Sequence, residues 1–379
     1  MRRTVFGPEH EALRETARTF LEKECVPLYD KWVAQGHADR SAWVRAGELG
    51  LIGFDVPEEY GGAGVDDWRF NAVIAEETAR INTGLGLGLA NDVVAPYLVG
   101  LATEEQKQRW LPKFVAGELL TAIAMSEPGA GSDLKSIATT AKPDGDDWII
   151  NGSKTFITGG LLADIVLVIC KTDPAGGSKA FSIFVVEDGM PGFTKGKKLD
   201  KVGQQASDTA ELHFDNVRVP GTNLLGDLGK GFSYLMRNLA KERLGIAVGA
   251  VAAAERALEI TLEYAKTREV FGTPVGSLQA NRFSLAEADT KLRVTRAYVD
   301  RCIQGAIDGD LDPQEAAAAK WWATEIQWQI VDLGMQLHGG YGYVTEQEIS
   351  QLWRDARVQR LYGGTTEVMK DIIGRGMGL

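Results

Sequence analysis

The sequence predicts an α+β fold in which a β-rich domain lies between two helical domains. Apolar residues recur at helical spacing through residues 1–120, short strand-like runs dominate residues 121–227, and long helical patterns return over residues 228–379. At 379 residues and 44% hydrophobic composition, the chain can bury a large core divided among several domains. We therefore predict three consecutive domains with these boundaries.

The N-terminal domain is predicted from amphipathic and capping patterns. The stretch 8–23 places its large apolar residues on one stripe, which is typical of an amphipathic helix. Ser41 is a candidate N-cap, and Thr103 with Gln106 forms a capping box before the next helical run. Between these signals, the stretch 84–102 is apolar on most sides, which favours a buried helix.

The middle domain is predicted from short strands. IVLVIC at 165–170 and FSIFVVE at 181–187 are continuous apolar runs, whereas TAELHFDNVRV at 209–219 alternates between apolar and polar residues. Asn151-Gly152 lies between two β-prone runs and predicts a hairpin turn. We expect a compact β domain.

The C-terminal domain is predicted to contain four or five long helices. The clearest patterns cover residues 232–266, 278–307, 313–337 and 365–379. No internal repeat or low-complexity linker interrupts the chain.

The composition argues against several classes of function. A formal net charge of -11 disfavours a broad basic surface for nucleic acid or anionic membrane, so an anionic ligand must be met by a few arginines or by backbone amides. Cys25, Cys170 and Cys302 are far apart and do not cluster with the four histidines. We expect neither disulfides nor a metal site.

No run in the sequence is long and apolar enough to span a bilayer. The N-terminal stretch MRRTVFGPEHEALRE has two arginines but no apolar segment behind them. We expect a cytoplasmic location, with an organellar protein as the alternative.

Three glycine-containing motifs are candidates for function. AMSEPGAGSD at 124–133 combines hydroxyl side chains with glycines that let backbone amides approach a ligand, although an ordinary turn is the alternative. QLHGGYGYVTE at 336–346 follows a helical pattern and, taken alone, is a glycine-capped helix end. RLYGGTTEVMKDII at 360–373 predicts a glycine turn, a threonine cap and a helix.

Together, and in this order, these motifs resemble the acyl-CoA dehydrogenase family along nearly the whole chain. SEPGAGSD is similar to the family's first signature and QLHGGYGY to its second. TREVFG at 267–272 resembles the segment whose arginine reaches the FAD of a neighbouring subunit, and FIT at 156–158 resembles the flavin-stacking aromatic and flavin-bonding threonine. The resemblance implies a helical domain, a β-barrel-like domain and a C-terminal four-helix bundle, assembled as a homotetramer.

The resemblance also implies which residues contact FAD and substrate. The residues expected to bind FAD are Met125, Ser126, Gly131, Ser132, Phe156, Thr158, Arg268, Phe271, Gln279, Gln336, Gly339, Gly340, Thr365 and Glu367. Those expected to contact the substrate are Ser132, Arg243, Tyr362, Gly363 and Gly364. Two positions depart from the family pattern, because the family usually has tryptophan at Phe156 and lysine or arginine at Gln351.

The chemistry that the resemblance implies is α,β-dehydrogenation of a thioester. A carboxylate takes the Cα proton, the Cβ hydride passes to flavin N5, and a flavin ribityl hydroxyl with the Gly363 amide polarises the thioester carbonyl. Many family members carry the glutamate base where this chain has Gly363. The long-chain and isovaleryl branch instead has a glutamate directly before an arginine on the first long helix of the last domain, which Glu242 and Arg243 match. We therefore predict Glu242 as the base; an ordinary solvated helical glutamate is the alternative.

The sequence leaves the substrate and the electron acceptor open. Gly84, Gly86 and Gly88 could widen an acyl pocket in an enzyme of fatty acid metabolism, but close helix packing explains them equally well. The expected substrate is an acyl-CoA; an acyl group on a carrier protein is an alternative, as is a non-catalytic FAD-binding protein with the same fold. The family usually passes its electrons to electron-transferring flavoprotein, and direct reaction with oxygen is the other route.

Overall fold

The structure, a computed structural model, describes residues 3–379 without the side chain of Ser178. Its helical, β, helical order confirms the predicted fold class. The N-terminal helices are α1 (Pro8–Phe20), α2 (Tyr29–Gln35), α3 (Arg40–Glu48), α4 (Trp68–Ile81), α5 (Ala95–Leu101) and α6 (Glu104–Val115), with π-helical turns at Leu21–Cys25 and Leu89–Val94.

The middle of the chain forms one mixed eight-stranded sheet. Its strands are β1 (Thr121–Ala124), β2 (Thr140–Asp144), β3 (Asp147–Thr158), β4 (Ile165–Lys171), β5 (Phe181–Glu187), β6 (Phe193–Lys198), β7 (Thr209–Pro220) and β8 (Leu224–Leu225). The spatial order is β6-β7-β3-β2-β4-β5-β8, and β1 pairs with β4 in parallel.

Strand β4 contributes to two separate cores. Ile165, Leu167 and Ile169 pack into a core shared with the N-terminal helices, whereas Val166 and Val168 face a second core inside the sheet. Successive side chains of a strand point to opposite faces, so a strand buried on both faces is a continuous apolar run. This is why IVLVIC does not alternate, while β7, which has one exposed face, does.

The C-terminal domain is helical, with a short hairpin of β9 (Glu269–Val270) and β10 (Thr273–Pro274). Its helices are α7 (Gly231–Thr267), α8 (Gln279–Asp308), α9 (Pro313–His338), α10 (Glu348–Gln359) and α11 (Thr366–Gly376). A third core joins α7, α8, α9 and α10 to α4 of the N-terminal domain. Alanines dominate the α7 face in this core, which lets its neighbours approach closely.

The predicted hairpin at Asn151-Gly152 is wrong. Strand β3 runs straight through both residues, and the turn between β2 and β3 lies at Gly145, where φ is +65°. Gly152 marks a register shift in the pairing with β7, and a Cβ there would lie 2.4 Å from Thr139 Oγ1. The glycine therefore serves a bulge and a close contact within the strand.

Two helix predictions also need correction. Helix α3 begins at Arg40, so Ser41 lies inside it and is not its cap. The stretch 84–102 is buried as predicted, but its helix starts at Leu87 and passes through the π-helical turn. Pro96 has no amide hydrogen to bond to a carbonyl of the preceding turn, which is consistent with the wider π geometry.

The capping box at Thr103 and Gln106 is confirmed by hydrogen bonds in both directions, at 3.3 and 2.9 Å. Across residues 3–379, no helix has both the length and the apolar character to cross a membrane. The same part of the chain holds no cluster of three or more His, Cys, Asp or Glu side chains suited to a metal ion.

Candidate active site

Glu242 lies on α7, where its carboxylate is buried and has few polar partners. Only 7% of the residue is exposed, and the Tyr97 hydroxyl on α5 donates a hydrogen bond to its Oε1 at 3.2 Å. Burial raises the pKa of Glu242 to about 7; the bond from Tyr97 and the charge of Arg243 oppose this shift, and the charge of Asp92 adds to it. A carboxylate with such a pKa can accept a proton near neutral pH.

Asp92 is a second buried carboxyl group on the same side of α7. It lies in the π-helical turn and accepts a hydrogen bond from Asn71 Nδ2 at 2.9 Å. Burial raises its pKa to about 7, and the charge of Asp55 adds to the effect. A Cβ at Gly245 would lie 3.0 Å from Asp92 Oδ2, so this glycine lets Asp92 pack one helical turn from Glu242.

The loop between α10 and α11 passes over the same stretch of α7. Gly363 and Gly364 have φ values of +64° and +96°, a region that favours glycine. A Cβ at Gly363 would lie 2.3 Å from Ile246 Cδ1, so the Ile246 side chain occupies the space that a side chain at 363 would enter. Ile246 is one turn from Glu242 on α7, which brings the loop and the carboxylate to one face of the helix.

Arg243 connects α7 to this loop. The residue is buried, and its Nε donates a hydrogen bond to the Gly363 carbonyl at 3.4 Å. Its guanidinium group therefore bonds to the loop backbone and does not form an ion pair with Glu242. Thr365 caps α11 by accepting from the Val368 amide at 3.3 Å, as the sequence predicts.

The 124–133 loop has a rigid base and an open tip. Lys154 Nζ donates to the Met125 carbonyl at 3.0 Å and to Glu127 Oε1 at 2.8 Å, while the Ser126 carbonyl accepts from the Thr155 amide at 3.0 Å. Cβ atoms added at the tip glycines 129 and 131 would meet nothing within 4 Å. Ser132 lies exposed beside this open tip.

Phe156 presents an aromatic ring at the end of β3. Its φ is +60°, in the region that non-glycine residues rarely occupy, and 69% of the residue is exposed. A register shift between Lys154 and Ile157 accompanies this conformation. Thr158, two residues on, is exposed on the same face of the strand.

A hollow of about 460 Å³ is lined by residues of the C-terminal domain. Arg268, Gly339 and Gly340 line it, together with Tyr264 and His338, whose rings stack at 4.2 Å between centroids. Most of the predicted FAD-binding residues therefore form two groups within one chain, one around the 124–133 loop and one around this hollow.

The other residues predicted to bind FAD lie on exposed surfaces. Phe271 is 98% exposed at the tip of the short hairpin. Gln279 begins α8 and Gln336 lies near the end of α9, both exposed, and Glu367 is in the first turn of α11. Gln351, the departure from the family pattern, donates to the Asn82 carbonyl at 2.8 Å and so links the first and last domains without an ion pair.

These surfaces fit the FAD that the sequence resemblance implies. The exposed ring of Phe156 can stack on a flat ring system, and the open tip of the 124–133 loop leaves its backbone amides accessible. Thr366 Oγ1 is buried without a hydrogen-bond partner beside the N-terminus of α11, which suits an additional acceptor there.

A narrow cavity of about 40 Å³ connects Thr158 to the stretch that precedes α5. Gly84, Gly86 and Leu89 line it, with Trp43 opposite. Gly84 has φ of +80°, and a Cβ there would lie 2.8 Å from the Ala206 Cβ, so this glycine serves the backbone turn and close packing. At Gly86 a Cβ would make ordinary contacts, so its absence adds room to the cavity.

The sequence analysis missed Tyr97 and Asp92. Both lie in the apolar stretch 84–102, where an aspartate is unusual because an ionised carboxylate is costly to bury. That isolated charge was the available signal. The contact with Glu242 could not be seen because Tyr97 is 145 residues away in the chain.

Models of the acyl-CoA dehydrogenase family match three consecutive parts of the chain. The N-terminal domain model matches residues 7–118, the middle domain model residues 122–217, and the C-terminal domain model residues 229–378.

Individual relatives match almost the whole chain. The mitochondrial long-chain specific acyl-CoA dehydrogenase of Rattus norvegicus is 46% identical over 376 residues, covering 98% of this chain and 87% of that protein. The mitochondrial short-chain specific acyl-CoA dehydrogenase of Bos taurus is 39% identical over 367 residues, covering 96% and 89%. The solved acyl-CoA dehydrogenase of Geobacillus kaustophilus has a TM-score of 0.97 and 48% identity, covering 99% of each chain.

Proposed function

The chain belongs to the acyl-CoA dehydrogenase family of FAD-dependent oxidoreductases acting on CH–CH groups, and from that premise we propose that it oxidises long-chain acyl-CoA with Glu242 as the base. The observation that carries the base assignment is the burial of Glu242, which forms no ion pair within residues 3–379, beside a loop whose Gly363 has no side chain. The burial of Glu242 favours its role as the base over the alternative of an ordinary solvated glutamate.

Glu242 acts on the Cα proton of the bound thioester. Its Oε1 already accepts from Tyr97, which orients the carboxylate and leaves Oε2 for the proton. Burial keeps the pKa of the free base near 7, so a useful fraction is ionised at neutral pH. The burial of Glu242 limits the access of water to the proton transfer.

The Gly363 amide donates to the thioester carbonyl and stabilises the negative charge that develops there. Arg243 holds the next carbonyl of the loop and so helps to fix this amide. Bound FAD supplies the hydride acceptor for the substrate Cβ. Tyr362 and Gly364 contact the substrate from the same loop as Gly363, and Ser132 contacts it from the open tip of the 124–133 loop.

The proposed substrate is a long-chain acyl-CoA. The higher identity to the long-chain relative, 46% against 39% for the short-chain one, supports this choice.

The proposed partners follow from the family. Electrons leave to electron-transferring flavoprotein, and the chain assembles as a homotetramer in which Arg268 and Phe271 reach the FAD of a neighbouring subunit. The near-complete exposure of the Phe271 ring and the separation of the two FAD-binding groups support this arrangement. The cytoplasmic location stays a prediction from the sequence.

A panel of thioesters tests the proposal. The purified holoenzyme is mixed anaerobically with saturated acyl-CoAs from four to eighteen carbons and with the same acyl groups on a carrier protein, and the loss of flavin absorbance is followed. We expect the fastest loss with long-chain acyl-CoAs. Faster loss of flavin absorbance with carrier-bound acyl groups would show that the substrate is carried by a protein and not by CoA. No loss with any thioester would indicate a non-catalytic FAD-binding protein.

A further inference from the structure

Lys320 is a buried cation that the chemistry described so far does not use. It lies on α9 within an alanine-rich run, and none of its surface is exposed. Its Nζ donates one hydrogen bond, to the Gly364 carbonyl at 2.6 Å. Within residues 3–379 no carboxylate oxygen lies within 4.0 Å of this ammonium group.

The charges around Lys320 do not compensate it. Burial, together with the charges of Arg243 and Arg360, lowers its pKa to about 8, and the charge of Glu367 opposes this shift. Arg360 itself pairs with Glu325 at 2.9 Å. An unpaired buried cation costs free energy that an apolar side chain of similar length would avoid, so packing alone does not explain a lysine here.

Two cations hold two consecutive carbonyls of the same loop. Arg243 Nε, from α7, bonds the Gly363 carbonyl, and Lys320 Nζ, from α9, bonds the Gly364 carbonyl. Both glycines have positive φ values and no Cβ to restrict them, so the loop has more conformational freedom than any other pair of residues would give. The Gly363 amide can stabilise developing charge only if its direction is fixed.

We propose that Lys320 is a positioning residue for enolate formation. Its ammonium group fixes the Gly364 peptide, and with Arg243 it fixes the direction in which the Gly363 amide meets the thioester carbonyl. Its charge also favours the negative oxygen that forms when Glu242 removes the Cα proton. This inference rests on the proposed function, and it predicts a defect in proton removal that a purely structural lysine would not cause.

The test measures proton removal without hydride transfer. The FAD-loaded enzyme is incubated in D₂O with an acyl-CoA analogue that has sulfur in place of the β-carbon, so that Glu242 can exchange the Cα hydrogens but no Cβ hydride is available. Mass spectrometry follows deuterium uptake. We expect Lys320→Met to slow the exchange roughly 10- to 100-fold, because small misplacements of an oxyanion donor have effects of this size. Its binding of the analogue and its FAD content should change much less.

Matched variants separate positioning from folding. Lys320→Arg keeps a buried cationic donor and should recover much of the exchange rate. Lys370→Met removes a nearby exposed lysine that lies over the Trp321 ring at 4.9 Å, and it should exchange at the wild-type rate. If Lys320→Met does not fold, Lys320→Gln keeps an N–H donor without the charge, and slower exchange is expected there too.

The outcomes distinguish this inference from the proposed function. Wild-type exchange rates in folded Lys320→Met or Lys320→Gln would overturn the role of Lys320 and leave the dehydrogenase proposal intact. Equal losses in Lys320→Met and Lys320→Arg, accompanied by loss of FAD, would show a structural lysine. A wild-type enzyme that neither exchanges the analogue nor oxidises any thioester would instead overturn the proposed function.

Discussion

Two buried glutamates in this protein have opposite environments. Glu127, under the 124–133 loop, pairs with the buried Lys154 and accepts from the Ala138 and Thr139 amides at 2.7 and 3.0 Å. Burial raises its pKa, but these partners outweigh burial and lower it overall. Glu242 has one tyrosine hydroxyl as its partner, and burial raises its pKa to about 7.

This difference separates a carboxylate that stabilises structure from one that can accept a proton. A carboxylate that is fully paired keeps its charge at every physiological pH and is a poor proton acceptor, so Glu127 can only hold the loop. A carboxylate that is buried with few partners exchanges protons near neutral pH, so Glu242 can act as a base. Burial by itself does not make a carboxylate able to accept a proton near neutral pH; the number and charge of its partners also decide this.

The largest expected effect comes from Glu242→Gln. This variant keeps the shape of the side chain and removes the proton acceptor, so kcat should fall by roughly 10² to 10⁴ with FAD retained. Stopped-flow absorbance of the flavin with a long-chain acyl-CoA measures the loss. Glu263→Gln, an exposed position on the same helix, is the control and should keep wild-type turnover. Near-normal flavin reduction in the Glu242 variant would refute the assignment.

For Lys154→Met we expect a loss of stability, and not a specific loss of proton transfer. It leaves the Glu127 carboxylate buried without its cation, so the free energy of unfolding should fall by about 3 kcal/mol or more, and FAD content should fall with it. Denaturant unfolding followed by circular dichroism measures the stability. The exposed Lys142→Met is the control. If the Lys154 variant is as stable as wild type but loses turnover, the contrast between the two glutamates fails.

Asp92→Asn should change the pH dependence and leave the fold in place. The Asp92 charge favours the protonated form of Glu242, so its removal should lower the pKa of Glu242. Because Glu242 works in its ionised form, the acid limb of kcat/KM should move from near pH 7 to lower pH. The two carboxyl groups are close, so the profile reports their coupled titration.

Steady-state rates between pH 5 and 9 measure that shift, with the exposed Asp66→Asn as the control. An acid limb that stays in place, or moves to higher pH, would show that Asp92 does not act on the base.

The smallest effect is expected for Phe156→Trp. The larger indole ring adds stacking surface, so FAD should bind a few-fold more tightly, which corresponds to about 0.5 to 1 kcal/mol. Titration of the apoprotein with FAD measures this change. Weaker binding would mean that the strained backbone at this position does not accept the larger ring.

The sequence predicted those features that are carried by local patterns or by family motifs. The capping box, the continuous apolar strands and the order of the three domains follow from residues close in the chain. The hairpin prediction at Asn151-Gly152 failed because the glycine is required by a close contact with Thr139, just before β2, and not by a turn. Local turn statistics contain no information about such a contact.

The candidate site divides in the same way. Glu242 and Gly363 could be proposed from the sequence because each stands in a recognisable motif. Tyr97, Asp92 and Lys320 could not be proposed from the sequence, because their suggested roles depend on contacts with elements distant in the chain. A charged residue isolated within an apolar helical run was the only local sign of the last two.

Strand β4 has a consequence for how the protein unfolds. Its odd-numbered residues belong to the core of the N-terminal helices, and its even-numbered residues to the interior of the sheet. Because β4 packs in both cores, loss of one core weakens the other, so residues 3–227 should melt as one cooperative unit despite their two textures. Native-state hydrogen exchange should then give the β4 amides and the α6 amides the same opening free energy.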